Sequence, residues 1–287
     1  MRWNRRQLTL FFSLLVLVMT LASNPAMAGK GVDLPGISGL KIRIVPKNQE
    51  PLEGLGAKNI SVYKSGNEVK VVWYSQIRIK KGDTPWPEYQ ILLQKGVLET
   101  EGMATATHFI HPHLWAPGYY RFDSSSILWA PREIVEAAGK KKGPFVFESG
   151  LLSNAVELMP KGPELVRLSV KKFREILLEP EKTFAAGGEE SLEARKEQVR
   201  NAETIEELRK VKIVEAAGSR NLVIRGKQVR VPTVVAGNRL VQYTILKDPE
   251  NPLVLGLSFR PASAPAHLKP YFQFFEKYLE YQITQLQ

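Results

Sequence analysis

Three of the chain's four histidines fall within six residues, as His108, His111 and His113 in "THFIHPHLW". Imidazole is the commonest metal-ligating side chain, so this crowding raises metal chemistry first. In an extended chain His111 and His113 share a face, because side chains two apart point the same way. Pro112 pushes His111 toward extended geometry and favours that pairing. His108 has the opposite parity and needs a bulge to join them. Two imidazoles are a start for zinc or copper, but a site needs further donors. No H-E-x-x-H occurs, and the nearest acids in sequence are Glu99, Glu101 and Asp123. His108, His111 and His113 therefore carry an alternative reading, a metal-binding protein or metal-dependent hydrolase with zinc or copper. The leading reading uses no cofactor.

Other catalytic patterns are weaker. The chain has no cysteine, which excludes disulfides, thiolate metal sites and thiol nucleophiles. No G-x-S-x-G elbow is present, and "DSSSI" lacks a glycine on each side. "GLGAKN" and "AAGGEE" lack the Lys-Ser/Thr ending of a phosphate loop. Paired acids such as Glu189-Glu190 and Glu206-Glu207 lie in a highly charged stretch and read as solvated. A non-enzyme is favoured. The aromatic residues Trp115, Tyr119, Tyr120 and Trp129, interleaved with Pro and Gly, could line a cavity mouth or groove and are the ligand-binding candidates. Their competing role is ordinary core and turn packing.

The elements that must position these residues are mostly strands. "VKVVWYSQIRIK" puts Val69, Val71, Trp73, Ile77 and Ile79 on one face of a half-buried strand. Shorter strands follow around Gly96 and Gly102. Pro131 suits the first position of a short helix that stops at Gly139. "FVFESGLLSNAVELM" leans to strand, and "ELVRLSVKKFREILL" fits strand or helix. Residues 179–211 are charge-rich and apolar-poor, which indicates a turn and a solvated helix. "NLVIRGKQVRVPTVV" reads as a hairpin turning at Arg225-Gly226-Lys227, and "RLVQYTIL" with "PLVLGLSF" as a second pair. Leu253, Leu255, Leu257 and Phe259 share a core face. A Pro-rich linker then leads to a helix with Tyr271, Phe274, Phe275, Tyr278 and Leu279 at helical spacing, with "EYQITQL" able to end as a short strand.

The N-terminus reads as an export signal. Arg2, Arg5 and Arg6 precede a 14-residue apolar run, Leu8 to Leu21, and an A-x-A site at Ala26 and Ala28. That run is shorter than the roughly 20 residues of a stable membrane-spanning helix. Adjacent arginines also suit twin-arginine export, but the strongly apolar "LFFSLLVLVM" favours the general secretory route. Cleavage near Ala28 gives a periplasmic or secreted chain starting near Gly29, with no stable transmembrane span. Removing the three leader arginines from a net charge of +11 leaves about +8. That excess suits an anionic envelope component, while nucleic acid is not an expected partner of an exported protein.

"SSILWAP", "IRGKQVRVPTV" and "ILKDPENPLVLGLSF" resemble segments of a group of uncharacterised exported bacterial proteins. The positions carrying the likeness are Trp129, Pro131, Gly226, Lys227, Pro232, Asp248, Asn251, Pro252 and Leu253. The resemblance covers about the C-terminal two-thirds and implies a β-rich extracytoplasmic domain, with no activity attached.

The expected fold is α+β, mainly antiparallel β: a curved sheet or partial barrel with helices on one face. The expected organisation is a signal peptide (1–28), a β-rich first part (29–178), a charged helical insertion (179–211), a β-rich continuation (212–260) and a linker with a C-terminal aromatic helix or short strand (261–287). The expected function is non-enzymatic binding of a lipid or other envelope component, with an apolar ligand inside the curved sheet and the C-terminal helix as a lid. A structural envelope interaction protein is a further alternative.

Overall fold

A computed structural model describes residues 37–47, 56–81, 88–101, 106–123, 125–140, 142–152, 163–178 and 192–287. The proposed leader, the "GDTPWP" turn, residues 153–162 and the start of the charged stretch lie outside the described residues.

Alternating burial is clearest in the first meander, built from β1 (Lys41–Pro46), β2 (Lys58–Ser65), β3 (Glu68–Lys81) and β4 (Glu88–Glu101). Val69, Val71, Trp73 and Ile77 are buried while Lys70, Tyr74, Gln76 and Arg78 face solvent, as the period-two pattern predicts. Trp73 faces Gly96 across the β3–β4 pair. A β-carbon at Gly96 would sit 2.5 Å from the indole Nε1 of this fully buried ring. Gly96→Ala is therefore expected to cost about 1–3 kcal/mol through overpacking, measured as a lowered urea midpoint.

Four short elements follow: β5 (His108–Phe109), β6 (Gly118–Asp123), β7 (Ser125–Ser126) and α1 (Arg132–Glu136). Pro131 occupies the N-cap of α1, one position earlier than expected, and Gly139 follows the helix at φ +86°. The segment expected as a strand from residue 145 keeps only β8 (Phe145–Val146) among its described residues. Glu148 and Ser149 are buried there; the Glu148 backbone forms a single parallel bridge with His108, and its carboxylate accepts the Leu152 N–H at 2.8 Å, which holds a turn after the bridge.

The stretch that fitted either element is a helix, α2 (Glu164–Leu178), because Val166, Val170, Phe173 and Leu177 recur at 3.6-residue spacing and are all buried. The charged stretch contains α3 (Leu192–Arg209). Its packing stripe is partly polar, with Asn201, Thr204 and Leu208 buried, and the Asn201 amide donates to the Ile176 carbonyl at 3.0 Å. A polar stripe of this kind leaves only a thin apolar signature.

The second meander comprises β9 (Lys210–Ile224), β10 (Lys227–Gly237), β11 (Val241–Leu246) and β12 (Val254–Phe259). The β9–β10 turn falls on Arg225 and Gly226, both at positive φ (48° and 78°), as in a type I′ hairpin. α4 (Lys269–Tyr278) and β13 (Tyr281–Leu286) follow. Both forms considered for this region are present in turn. The buried stripe of α4 is rotated from the expected one: Leu268, Phe272, Phe275 and Leu279 are fully buried, while Tyr271, Phe274 and Tyr278 flank them at intermediate exposure.

β13 unites the fold. The eleven-stranded sheet runs β6-β4-β3-β2-β1-β13-β12-β11-β10-β9-β8, so β13 lies between the two meanders. It also meets β9 in parallel through Gln285–Val223 and Leu286–Ile224. The second meander thus curls toward a barrel, although the sheet as a whole is not a closed one. The architecture is α+β, β-rich and mostly antiparallel.

Candidate functional site

The histidines are positioned by a turn. His108 ends on the exposed side of β5, where its Nε2 lies 3.7 Å from the Glu148 carboxylate, while Phe109 points inward. His111 has the extended backbone that Pro112 favours, at φ −60° and ψ 127°. His113 does not continue an extended chain, because Pro112–Leu114 form a 3-10 turn. The shared face expected from strand parity is therefore replaced by a cap: the His111 Nδ1 accepts the His113 backbone N–H at 3.1 Å. The rings stand 5.5 Å apart, and both meet Tyr281 edge-on at 5.5 and 6.2 Å.

Both imidazoles are fully buried. Burial disfavours the charged ring, lowering His111 to about 3 and His113 well below the ordinary value, with the nearby Lys58 ammonium adding to the effect. In neutral His111 the acceptor role of Nδ1 places the proton on Nε2. The Leu279 and Glu280 carbonyls lie on the sides of the two rings and favour their protonated forms, yet neither completes a hydrogen bond.

Lys58 is the residue that reading the histidines alone misses. It lies on the inward parity of β2 with Ile60 and Val62, and only 1% of it is exposed. Its ammonium lies 5.0 Å from the centroid of the Trp73 ring, in cation–π range. Burial lowers its pKa to about 8. Ser75, its cross-strand partner, is also fully buried. A lysine on the apolar parity of "KNISV" is the sequence signal that could have found this group.

This interior cluster is unusual in its unmet hydrogen-bonding capacity. Trp73 Nε1, Ser75 Oγ, His111 Nε2 and both ring nitrogens of His113 are buried without a partner. A buried polar group left unpaired costs about 1–3 kcal/mol. The described residues contain no group of three or more His, Cys, Asp or Glu that could hold a metal ion. An ammonium beside the two imidazoles also opposes a divalent cation.

The aromatic ligand-binding candidates separate. Trp115 is buried beside Trp73, with ring centroids 6.4 Å apart, and donates to the Ile110 carbonyl. Trp129 is buried and its Nε1 donates to the Asn251 side chain at 2.7 Å, while its backbone bridges Leu253. That contact brings together two of the segments that carry the sequence resemblance. Tyr119 and Tyr120 lie instead on the edge strand β6, where the Tyr119 hydroxyl donates to Glu99 at 2.5 Å and the Tyr120 hydroxyl to the Pro117 carbonyl. An open groove of about 300 Å³ beside this edge is lined by Tyr63, Lys70, Glu99 and Arg121, among others.

A second feature lies on the surface. β2 pairs with β3 only up to Ser75, and β6 pairs with β4 only from Gly96. Beyond those points the β3–β4 pair continues as a two-stranded ribbon, from Gln76–Leu93 to Lys81–Glu88. On its outer face Gln76 opposes Leu93 and Arg78 opposes Ile91, and the Tyr74–Lys95 pair stands next to its base. Ile91 and Leu93 are 66% and 65% exposed, and none of these six residues is acidic. Compared with protein-family models, curated proteins and solved structures, the chain matches none.

Proposed function

We propose that this chain is an exported, non-enzymatic binding protein that engages an anionic lipid surface of the cell envelope through the outer face of the β3–β4 ribbon. The observation that carries the reading is the exposure of Ile91 and Leu93 on a ribbon flanked by Tyr74 and Lys95. A two-stranded ribbon is marginal in water on its own, and exposing two large aliphatic side chains on it adds to that cost. Aliphatic side chains entering the acyl boundary, an aromatic ring at headgroup level and cations facing anionic headgroups are the chemistry of an interfacial contact. The charge of about +8, left when the three leader arginines are removed from +11, agrees in sign.

Binding on the outside is also favoured by the filled interior. Phe109, Phe147, Tyr243 and Tyr281 pack together inside the curled half, with Phe147 and Tyr243 rings 4.8 Å apart. Phe272 and Phe275 of α4 are buried against Phe173 and Phe259, as core side chains are. The basic start, apolar run and "AMA" of the N-terminus support export. Among the described residues no helix is long and apolar enough to cross a membrane.

The test is co-sedimentation of protein beginning at Gly29 with vesicles of phosphatidylcholine alone or mixed with phosphatidylglycerol. Binding is expected to the anionic vesicles and to weaken at high salt. Ile91→Ser with Leu93→Ser should weaken it about tenfold or more, since each buried aliphatic side chain contributes about 1.5–3 kcal/mol. The melting temperature should be unchanged. Equal binding of the variant, or no preference for anionic vesicles, would sink the proposal.

A further inference from the structure

The interior cluster has a chemical sign. Its members come from three directions: Lys58, Trp73 and Ser75 from the inward face of β2 and β3, His111 and His113 from the 3-10 turn, and the Leu279-Glu280 backbone from the end of α4. Lys58, Trp73, Ser75 and both histidines are at most 1% exposed, so water reaches them only as buried molecules. The inventory is rich in donors. Lys58 offers an ammonium, Trp73 Nε1 can only donate, Ser75 offers a hydroxyl, and the tautomer of His111 makes its Nε2 a donor. Among the described residues no carboxylate lies within ion-pair distance of Lys58. The acids closest by sequence and packing are engaged elsewhere: Glu280 binds Lys47 at 2.6 Å and the Phe259 N–H at 2.7 Å, and Glu148 faces His108 and the Leu152 N–H.

A buried cation with several unpaired donors and no counter-charge is costly unless something negative completes it. The Trp73 face offsets part of that cost and supplies no acceptor lone pair. We infer that Lys58, Trp73, Ser75, His111 and His113 form an enclosed binding site for one small anion, a halide or a single carboxylate group. Enclosure by buried side chains limits the occupant's size, and the ammonium excludes a divalent cation as its counterpart. The anion accepts from Lys58, Ser75 Oγ and His111 Nε2, which satisfies two buried groups otherwise unpaired and answers the ammonium's charge. Nothing in this inference depends on the lipid-binding ribbon.

Thermal melts of the mature-length protein in sodium chloride, sodium formate and sodium gluconate, at equal ionic strength and neutral pH, test it. An anion that enters should raise the melting temperature by about 3 °C relative to gluconate, which is too large to enter. Chloride and formate distinguish the halide from the carboxylate. Lys58→Met keeps the volume of the side chain and should remove the difference between salts. Crystals soaked in bromide provide a readout that needs no variant: an anomalous peak is expected between Lys58, Ser75 and His111. Equal melting in all three salts, an unchanged salt response in Lys58→Met, or only water at the cluster in the bromide crystals would overturn the site. A stoichiometric zinc response there would overturn it in favour of metal binding.

Discussion

A chain cut after Pro270 will not fold cooperatively. The cut removes Phe272, Phe275 and Leu279 from the core and takes β13 from its place between β1 and β12. β1 would lose its ladder from Ile42 to Pro46, and Gly256 and Leu257 of β12 would lose Gln282 and Tyr281 as partners. Phe275 alone packs against Phe173, Phe259, Phe272 and Phe274. Phe275→Ala should therefore cost about 3–5 kcal/mol, a large share of a domain stability of about 5–15 kcal/mol. Urea unfolding followed by circular dichroism would show the point variant's midpoint sharply lowered and the truncated chain without a transition. A truncated protein that still unfolds cooperatively would mean α4 is a detachable lid and the interior is stable without it.

Stability will fall as the medium is acidified from neutrality, and the interior histidines will be a main cause. His111 is lowered to about 3 in the folded state and His113 well below its ordinary value, whereas both titrate near 6.5 when unfolded. Between those values the unfolded chain binds more protons than the folded one, so stability rises with pH across that window. The contribution of neutral, buried imidazole is complete above about pH 6.5 and is lost as pH drops toward 3, by at most about 5 kcal/mol for His111. Lys58 acts with the same sign in a higher window: its folded value of about 8 lies below the ordinary 10.5, so stability increases again as pH climbs between them. Glu148 opposes this trend at low pH, because burial raises its pKa and favours the protonated form. Urea midpoints measured from about pH 7 to about pH 4 should decline, and His111→Phe with His113→Leu should flatten the decline. An identical slope in the double variant would remove these rings as its cause.

Much of the sheet is legible wherever alternation decides burial. Val69, Val71 and Trp73 declare their face because solvent wets only the other, and Arg225-Gly226 declares its hairpin because both positions need positive φ. The parity that separates His108 from Phe109 is legible for the same reason. The site is less so. His111 and His113 are joined by a 3-10 turn whose geometry depends on what packs over it, and Lys58 reaches them only once β2 and the turn share an interior. The α4 stripe shows a related difficulty. Tyr271, Phe274 and Tyr278 resemble core residues in a sequence, yet rings with part of their surface wet can flank a stripe as well as fill it. Burial on both faces of β12 was also hidden, since Val254 is covered from outside the sheet's own alternation: its N–H reaches the Leu128 carbonyl at 2.8 Å.

The central place of β13 has a consequence for how the molecule is made. A ribosome delivers β1 to β12 before the strand that must lie between β1 and β12, so neither meander can be joined to the other while synthesis is under way. The pairing of Ile42 with Leu286 spans nearly the whole described chain, a separation that makes closure slow relative to local hairpins. Until then the nascent polypeptide has open edges and no completed interior. For an exported chain such as we propose, that delay keeps it threadable through a secretion channel, and assembly is postponed until the strand has arrived on the far side.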